Sequence, residues 1–353
     1  MYHPLCFTND IPLDRPVAIK TFQKQLVLWR TLQRPNVILC SEDRCPHRNA
    51  QLSKGMVTGD GTLQCGYHGW EFGATGECVR IPQLKKGQCV PRSCRLNTTY
   101  QTKNIHQVLY IESVPKLHTQ TLPLTIPQTN GIHQDGHIDP NEAFTTDYLL
   151  EANYDFWIQM ENLMDPAHIH FVHNGFQGDM TKAKFIRVVS MVESEWRIQA
   201  EFTHDDRLIP DIRITFDAPG TIDVCILGPT GETVRRNIIY VTPIEPGKCR
   251  VLFRDVAYKK YLVPDGWVYT RMLLGTDWIE DGYQRINQAV VDSIMEQDIS
   301  ILESQQKGMD SRGTLEDYLA AREILLTESD QMIVAFRRWC RKHAEWLNTH
   351  GYA

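Results

Sequence analysis

The chain holds two mixed pairs of metal-ligand residues, Cys45-x-His47 in "CPH" and Cys65-x-x-His68 in "CGYHGW". Zinc fingers segregate Cys-Cys from His-His, so a thiol coupled to an imidazole in each pair points elsewhere. It suits a [2Fe-2S] cluster in which one iron takes two thiolates and the other two imidazoles. Two β-loops that each bring one Cys and one His, and that face each other, would build it. Neutral imidazoles make such a cluster easier to reduce, with potentials of about −150 to +300 mV against roughly −400 mV for plant-type ferredoxins. A Cys2His2 zinc site is the competing reading of the same four residues. Trp70 reads as core packing, and Cys78, Cys89 and Cys94 as small buried residues.

A second constellation offers a destination for single electrons. Residues 161–174 read "ENLMDPAHIHFVHN". His168 and His173 stand roughly 140° apart on a regular helix at 3.6 residues per turn, so they converge on one ion only where the helix ends or bulges between them. His170 points away from His168 and reads as structural. Two histidines and one carboxylate hold Fe(II) by three cis positions and leave others open for O2 and substrate. "MEQDISILESQQ" supplies the carboxylate: Asp298 falls four residues after Ile294 and three before Ile301, on the apolar face of a helix. A carboxylate on a buried face is costly unless paired or metal-bound. Glu296 and Glu303 lie off that face and read as solvated charges. Taken alone, His168 and His173 read equally well as core or surface histidines. Beside the first constellation and Asp298 they read as ligands to a mononuclear Fe2+.

Asp165 has two readings. "DPAH" makes a helix start, with Asp165 as N-cap and Pro166 at the first helical position. Asp165 also stands three residues before His168, within reach of the imidazole nitrogen that does not bind metal, and this catalytic supporting role is the preferred one. Asn162, three residues earlier, is a further polar supporter.

The elements that position these residues fall into two parts, because 353 residues exceed one compact core. In the first part "VLWRTL" and "NVILCSE" read as strands, and "TGDG" and "GATGE" as hairpin turns. "IPQTNGIHQDGHIDPN", from Ile126 to Asn141, reads as an interdomain connection. The second part mixes strand-like runs ("GTIDVCIL", "RRNIIYVTPI", "CRVLFRDV") with helices. From Trp278 to Leu302, Ile279, Ile286, Val290, Ile294, Ile301 and Leu302 recur at helical spacing, and a final helix is expected over Gln331 to Asn348. The expected fold class is α+β: an all-β N-terminal domain over residues 1–125, then over 126–353 a catalytic domain of antiparallel sheet with helices packed on one side.

Composition narrows the function. Apolar residues make 42% and charged residues 23% of the chain, as in ordinary globular proteins. A net charge of −6 argues against a nucleic-acid binder. No run approaches the ~18 apolar residues of a membrane span, and "MYHPLCFTND" has no secretory pattern. Ten cysteines are too sparse for a disulfide scaffold and read as reduced thiols in a soluble, cytoplasmic protein.

Together "CPHRNAQLSKG", "LQCGYHGWEF" with "GECVRIPQ", "ENLMDPAHIHFVH" and "EQDISILESQQ" resemble the Rieske non-haem iron oxygenases over nearly the whole chain. The wording is most similar to the branch of pheophorbide a oxygenase, chlorophyllide a oxygenase and bacterial O-demethylating monooxygenases. The resemblance implies an N-terminal Rieske [2Fe-2S] domain, a helix-capped antiparallel-sheet catalytic domain and a head-to-tail homotrimer. In that trimer His68 of one protomer would contact Asp165 of its neighbour. It also implies a ferredoxin or reductase as electron donor, with O2 and a small organic substrate. Plant members of the branch carry a C-terminal hydrophobic anchor and a Cys-x-x-Cys pair near it. Here the tail is "AFRRWCRKHAEWLNTHGYA" with a lone Cys340, so membrane association and thioredoxin control are not expected. A tetrapyrrole substrate is allowed rather than required. Insertion of one oxygen atom fits better than cis-dihydroxylation, and hydroxylation of a methyl group could end as N- or O-demethylation. Phe156, Phe171, Val172 and Phe176 are candidate substrate walls. The rival reading is a Rieske-type electron carrier without turnover of its own, which needs only the first domain.

Overall fold

The computed structural model describes residues 2–31, 33–112, 143–175, 178–181, 185–204, 210–262, 276–308, 315–320 and 325–352. The connection read at 126–141 lies outside them. The chain divides into two compact units, Met1–Leu124 and Thr125–Ala353.

The first unit is built of short antiparallel strands. Tyr2–Phe7 (β1) pairs with Val108–Glu112 (β11), which pairs with Thr102–Ile105 (β10). Val17–Thr21 (β2), Lys24–Thr31 (β3), Arg34–Glu42 (β4) and Thr99–Tyr100 (β9) form a second sheet. Met56–Val57 (β5), Leu63–Gln64 (β6), Glu71–Phe72 (β7) and Cys78–Arg80 (β8) form a third. The "LVLW" run of β3 is buried on both faces, and its period of two divides it between two cores. Leu26 and Leu28 join Leu5, Ile11 and Ile111 in one. Val27 and Trp29 join Leu52, Leu63 and Phe72 in the other, together with Cys45 and Cys65. The expected strands and hairpin turns are present.

The second unit is a seven-stranded antiparallel sheet. Six strands run as a meander: Ile186–Glu193 (β13), Arg197–His204 (β14), Ile212–Asp217 (β15), Thr221–Leu227 (β16), Thr233–Glu245 (β17) and Lys248–Tyr258 (β18). Ala143–Ala152 (β12) closes the far edge against β18. Phe156–Met164 (α1) packs on β16–β18, and Ile169–Val172 (α2) follows it. Lys259–Leu262 (α3) leads to the long helix Thr276–Gly308 (α4), which lies on β12 and against α1. Leu315–Ala320 (α5) and Gln331–Lys342 (α6) follow, and α6 packs on β13, β14 and α1. The final helix expected through Asn348 is broken: it stops at His343, whose backbone leaves helical angles, and resumes as Ala344–Thr349 (α7). The His343 ring sits between those of Trp196, 4.5 Å away, and Trp339, 5.1 Å away.

The inward stripe of α4 differs from the expected one. Ile286 and Ile301 are exposed, while Asn287, Val291, Met295, Asp298 and Leu302 are buried. The stripe is rotated because its anchor is polar. Asn287 donates to Asp255 of β18 at 2.8 Å and to Thr146 of β12 at 2.9 Å, and it accepts from Arg235 at 2.6 Å. Arg235 in turn holds Asp255 at 2.6 Å. Eleven residues make about three helical turns, so this clamp sets the face on which Asp298 stands. The other end of α4 is tied to the start of α1: Gln306 accepts from the Asp155 backbone N–H at 2.7 Å and donates to the Asp155 carboxylate at 2.9 Å. Further along α1, buried Glu161 accepts from Arg337 of α6 at 2.6 Å and from the Tyr318 hydroxyl of α5. A buried ion pair is costly unless its hydrogen bonds are complete, and this one has them. The side chains on α1 and α4 are therefore held in a fixed relation.

Candidate metal centres

The convergence of His168 and His173 follows from the shortness of α2. His168 precedes the helix and its carbonyl accepts from Phe171 and Val172 at 2.9 and 2.8 Å; the helix ends at His173. The two imidazoles leave from opposite ends of a single turn, which removes the angular conflict of a longer helix. Their rings stand edge to face, 5.3 Å between centroids. Asp298 Oδ1 lies 3.4 Å from His173 Nε2 and 3.9 Å from His168 Nε2. The three ligand atoms all lie within 4.8 Å of one another.

Each of the three side chains has a support. Asn162 on α1 hydrogen-bonds the Asp298 carboxylate. His173 Nδ1 is 3.0 Å from Gln297 Oε1, and His168 Nδ1 is 2.5 Å from the Asp165 carbonyl oxygen. Amide and carbonyl oxygens only accept, so each Nδ1 carries a proton, and Nε2 is the ring atom turned toward Asp298 and available to a metal. Gln297 is a support that the sequence reading missed, although it adjoins Asp298. Asp298 Oδ1 is buried and has no hydrogen-bond partner. Burial pushes the Asp298 carboxyl up, opposed by His168, His173 and Asn162. Burial also holds the His168 imidazole below its ordinary pKa. An orphaned buried carboxylate oxygen facing two imidazole Nε2 atoms fits a divalent cation, which would supply the missing partner.

Three readings near this site need correction. Asp165 is not the N-cap of the following helix: it caps the end of α1, and helix resumes only at Ile169. The residue before a proline is pushed to extended backbone, as the Asp165 φ of −100° and ψ of 105° show. Its Oδ1 accepts from the Ala167 N–H at 2.7 Å, an Asx turn. Its Oδ2 is 4.0 Å from His168 Nδ1, so the main chain, not the carboxylate, holds that imidazole. Phe156 belongs to the core, packed on Trp157 and Tyr352, rather than to a substrate wall. Phe171 is exposed, and Phe176 lies outside the described residues. His170 is buried against His204, as a structural residue.

In the first unit, Cys45–His47 and Cys65–His68 occupy two loops with one hydrogen-bond pattern. The Cys45 N–H donates to Ala50 O at 2.8 Å and Asn49 N–H to Cys45 O at 2.9 Å. The Cys65 N–H donates to Trp70 O at 2.8 Å and Gly69 N–H to Cys65 O at 3.0 Å. Each loop turns through a left-handed residue four past its cysteine, Asn49 (φ 59°) and Gly69 (φ 73°), the residue types that tolerate it. Gly66 is required for a second reason: a Cβ there would stand 2.8 Å from Lys54 O. The four side chains form two poles. The thiols of Cys45 and Cys65 are buried and in contact. The rings of His47 and His68 stand edge to face at 4.6 Å on the more exposed side. Burial, with Cys65 beside it, pushes the Cys45 thiol up to about 11, so a metal must displace its proton. Trp70 does more than fill the core: it stacks on His47 at 4.3 Å with the planes 3° apart. Cys89 is exposed and Cys94 partly so, against the expectation that both are buried.

Residues 1–101 match the Rieske [2Fe-2S] domain, and residues 150–345, more than half of the chain, match the vanillate O-demethylase oxygenase C-terminal domain. The chain belongs to the Rieske oxygenase family. It is 29% identical over 364 residues to Protein TIC 55, chloroplastic, of Pisum sativum, covering 99% of this chain and 59% of that protein. It is 25% identical to the chloroplastic pheophorbide a oxygenase of Arabidopsis thaliana, covering 99% of this chain and 65% of that one. The chain thus spans about three-fifths of the length of these relatives. The structure of Pseudomonas putida NdmA with caffeine superposes with a TM-score of 0.73 at 19% identity, covering 99% of this chain and 93% of that one. Membership of the Rieske family makes a [2Fe-2S] cluster and iron the cofactors, and the paired loops and the His168–His173–Asp298 group are suited to them. Among the described residues no helix is long and apolar enough to cross a membrane.

Proposed function

We propose that this chain activates O2 at a mononuclear Fe(II) held by His168, His173 and Asp298, and so hydroxylates, or oxidatively demethylates or cleaves, a small organic substrate. A [2Fe-2S] cluster held by Cys45, His47, Cys65 and His68 relays the electrons, which a ferredoxin or reductase supplies. The observation that carries this reading is the convergence of two Nε2 atoms and an unpartnered buried carboxylate oxygen. An electron carrier has no use for that second site. When bound, the metal centres supply the redox chemistry, the reduction of O2 with two electrons so that one oxygen atom enters a C–H bond and the other leaves as water.

The chain's own residues prepare that chemistry. Asn162 holds the Asp298 carboxylate and leaves Oδ1 free to face the ion. Gln297 and the Asp165 carbonyl keep both imidazoles in the Nε2-ligating tautomer. His168, His173 and Asp298 would hold the ion by one atom each, and a metal with only three protein ligands would keep room for O2 chemistry. Burial pushes the Asp165 carboxyl up to about 6, so it can hold or release a proton near neutral pH. In a head-to-tail homotrimer it is the group that faces His68 of the neighbouring protomer. The substrate is an aromatic compound or a tetrapyrrole: one relative is a pheophorbide a oxygenase, and one similar structure holds caffeine.

The test is iron, acid-labile sulfide and O2 uptake on anaerobically purified protein, with tetrapyrroles, N-methylated heteroaromatics and methoxy-aromatics as substrates. About three irons and two sulfides per chain, with substrate-dependent O2 uptake, is the expected result. Two irons and no O2 uptake would reinstate the electron carrier, and zinc without sulfide would remove both readings.

A further inference from the structure

Two thiols outside both ligand sets face each other in the first unit. Glu77 and Arg95 form an antiparallel bridge; the Cys78 N–H donates to Cys94 O at 3.0 Å and the Leu96 N–H to Gly76 O at 2.7 Å. This ladder sets Cys78 directly opposite Cys94. One hydrogen bond joins the pair, since the Cys94 N–H donates instead to Pro91 O at 2.9 Å; opposed residues of an antiparallel pair have Cα atoms about 4.5–5.5 Å apart, inside the roughly 4.4–6.8 Å that a disulfide spans. The Cys78 thiol donates to Arg80 O at 3.6 Å and lies beside the Cys94 thiol. Cys78 is buried, whereas Cys94 is partly exposed and open to a reagent from solvent. Both pack in the core that contains Cys45, Cys65 and Trp70.

We propose that Cys78 and Cys94 form a reversible dithiol–disulfide site whose oxidant is a low-molecular-weight disulfide, of which glutathione disulfide is the probe. Cys94, as thiolate, attacks one sulfur of the probe and expels one glutathione thiolate, leaving a mixed disulfide. Cys78 then attacks the Cys94 sulfur and expels the second glutathione. Two cysteines are oxidised, one disulfide is reduced to two thiols, and the two cysteine protons end on them. The bond staples β8 to the segment before Leu96, along the core behind the paired loops. Excess dithiol reverses it.

Cys89 gives an internal control, being exposed in the same region. The holoprotein is incubated with glutathione disulfide, quenched by alkylation under denaturing conditions, and mapped by peptide mass spectrometry. The expected map shows a Cys78–Cys94 linked peptide that dithiothreitol removes, glutathione on Cys89, and an unchanged cluster absorption. In Cys94→Ser, Cys78 is expected to stay alkylatable under the same treatment. The proposal is overturned if Cys78 and Cys94 are both alkylated while Cys89 carries glutathione. It is equally overturned if Cys94 stops as a glutathione adduct in the wild-type chain.

Discussion

At the scale of the residue, the two histidines nearest the unpartnered Asp298 oxygen rest on neutral acceptors, an amide for His173 and a main-chain carbonyl for His168. In the proposed iron site Asp298 would supply the single negative charge to a divalent ion. Asp298→Ala is expected to lower iron from about three to about two per chain while sulfide and the cluster spectrum stay unchanged, as measured by metal analysis. Loss of acceptor partners behind ligand histidines costs about 10–100-fold in metal affinity. Gln297→Leu should show that loss in iron retained against a chelator, and Gln297→Glu, which keeps an acceptor, should not. Asp165 makes a pH-dependent prediction for the metal-free protein. Burial raises its carboxyl from the ordinary 3.8 to about 6, so between these values the folded chain binds more protons than the unfolded one. The stabilisation is complete below about pH 4 and is lost as pH rises through 6. Asp165→Asn keeps the oxygen that accepts from Ala167, and should raise Tm by a few degrees at pH 7.5 but not at pH 4.

At the scale of the element, the site depends on α2 remaining a single turn. Gly178 packs against it so closely that a Cβ would lie 2.2 Å from Ile169 O and 2.5 Å from His170 Cα. Its N–H also donates to His173 O at 3.1 Å. Gly178→Ala must therefore move the backbone between the two histidines, and overpacking of this kind costs about 1–3 kcal/mol. The expected outcome is loss of mononuclear iron with the cluster spectrum intact; full iron occupancy would show that α2 tolerates the shift. The long helix is governed from elsewhere. Asn287 fixes its rotation on the sheet and Gln306 fixes its far end on α1, which brings Asp298 and Asn162 together.

At the scale of the whole molecule, one unit carries the paired Cys–His loops and the other carries the two-histidine, one-carboxylate group. In the homotrimer proposed above, the cluster of one protomer serves the iron of the next. Chains that lack the cluster through Cys45→Ser and chains that lack the iron through Asp298→Ala should each be inactive. Coexpressed, they should regain substrate-dependent O2 uptake, because a mixed trimer pairs an intact cluster with an intact iron. No recovery in verified mixed oligomers would place electron transfer within one chain.

The candidate ligands could be picked out in the sequence, and their side chains do come together, because chelation demands particular atoms at particular spacings, and few other pressures put Cys-x-His and Cys-x-x-His in one chain. The strands around them were legible too, since β3 writes its burial as a local period of two. The supports were not. His173 meets Gln297 across 124 residues, and Asn287 meets Thr146 across 141, distances that no local period encodes. Apolar spacing placed the inward face of α4 on Ile294 and Ile301, yet a polar clamp rotated it. The Asp165 carboxylate was expected to hold His168, but the proline after it extended the backbone and turned the carbonyl there instead. Residue type and spacing decided which atoms can bind metal; tertiary contacts decided which way they point, because orientation is set by partners distant in the chain.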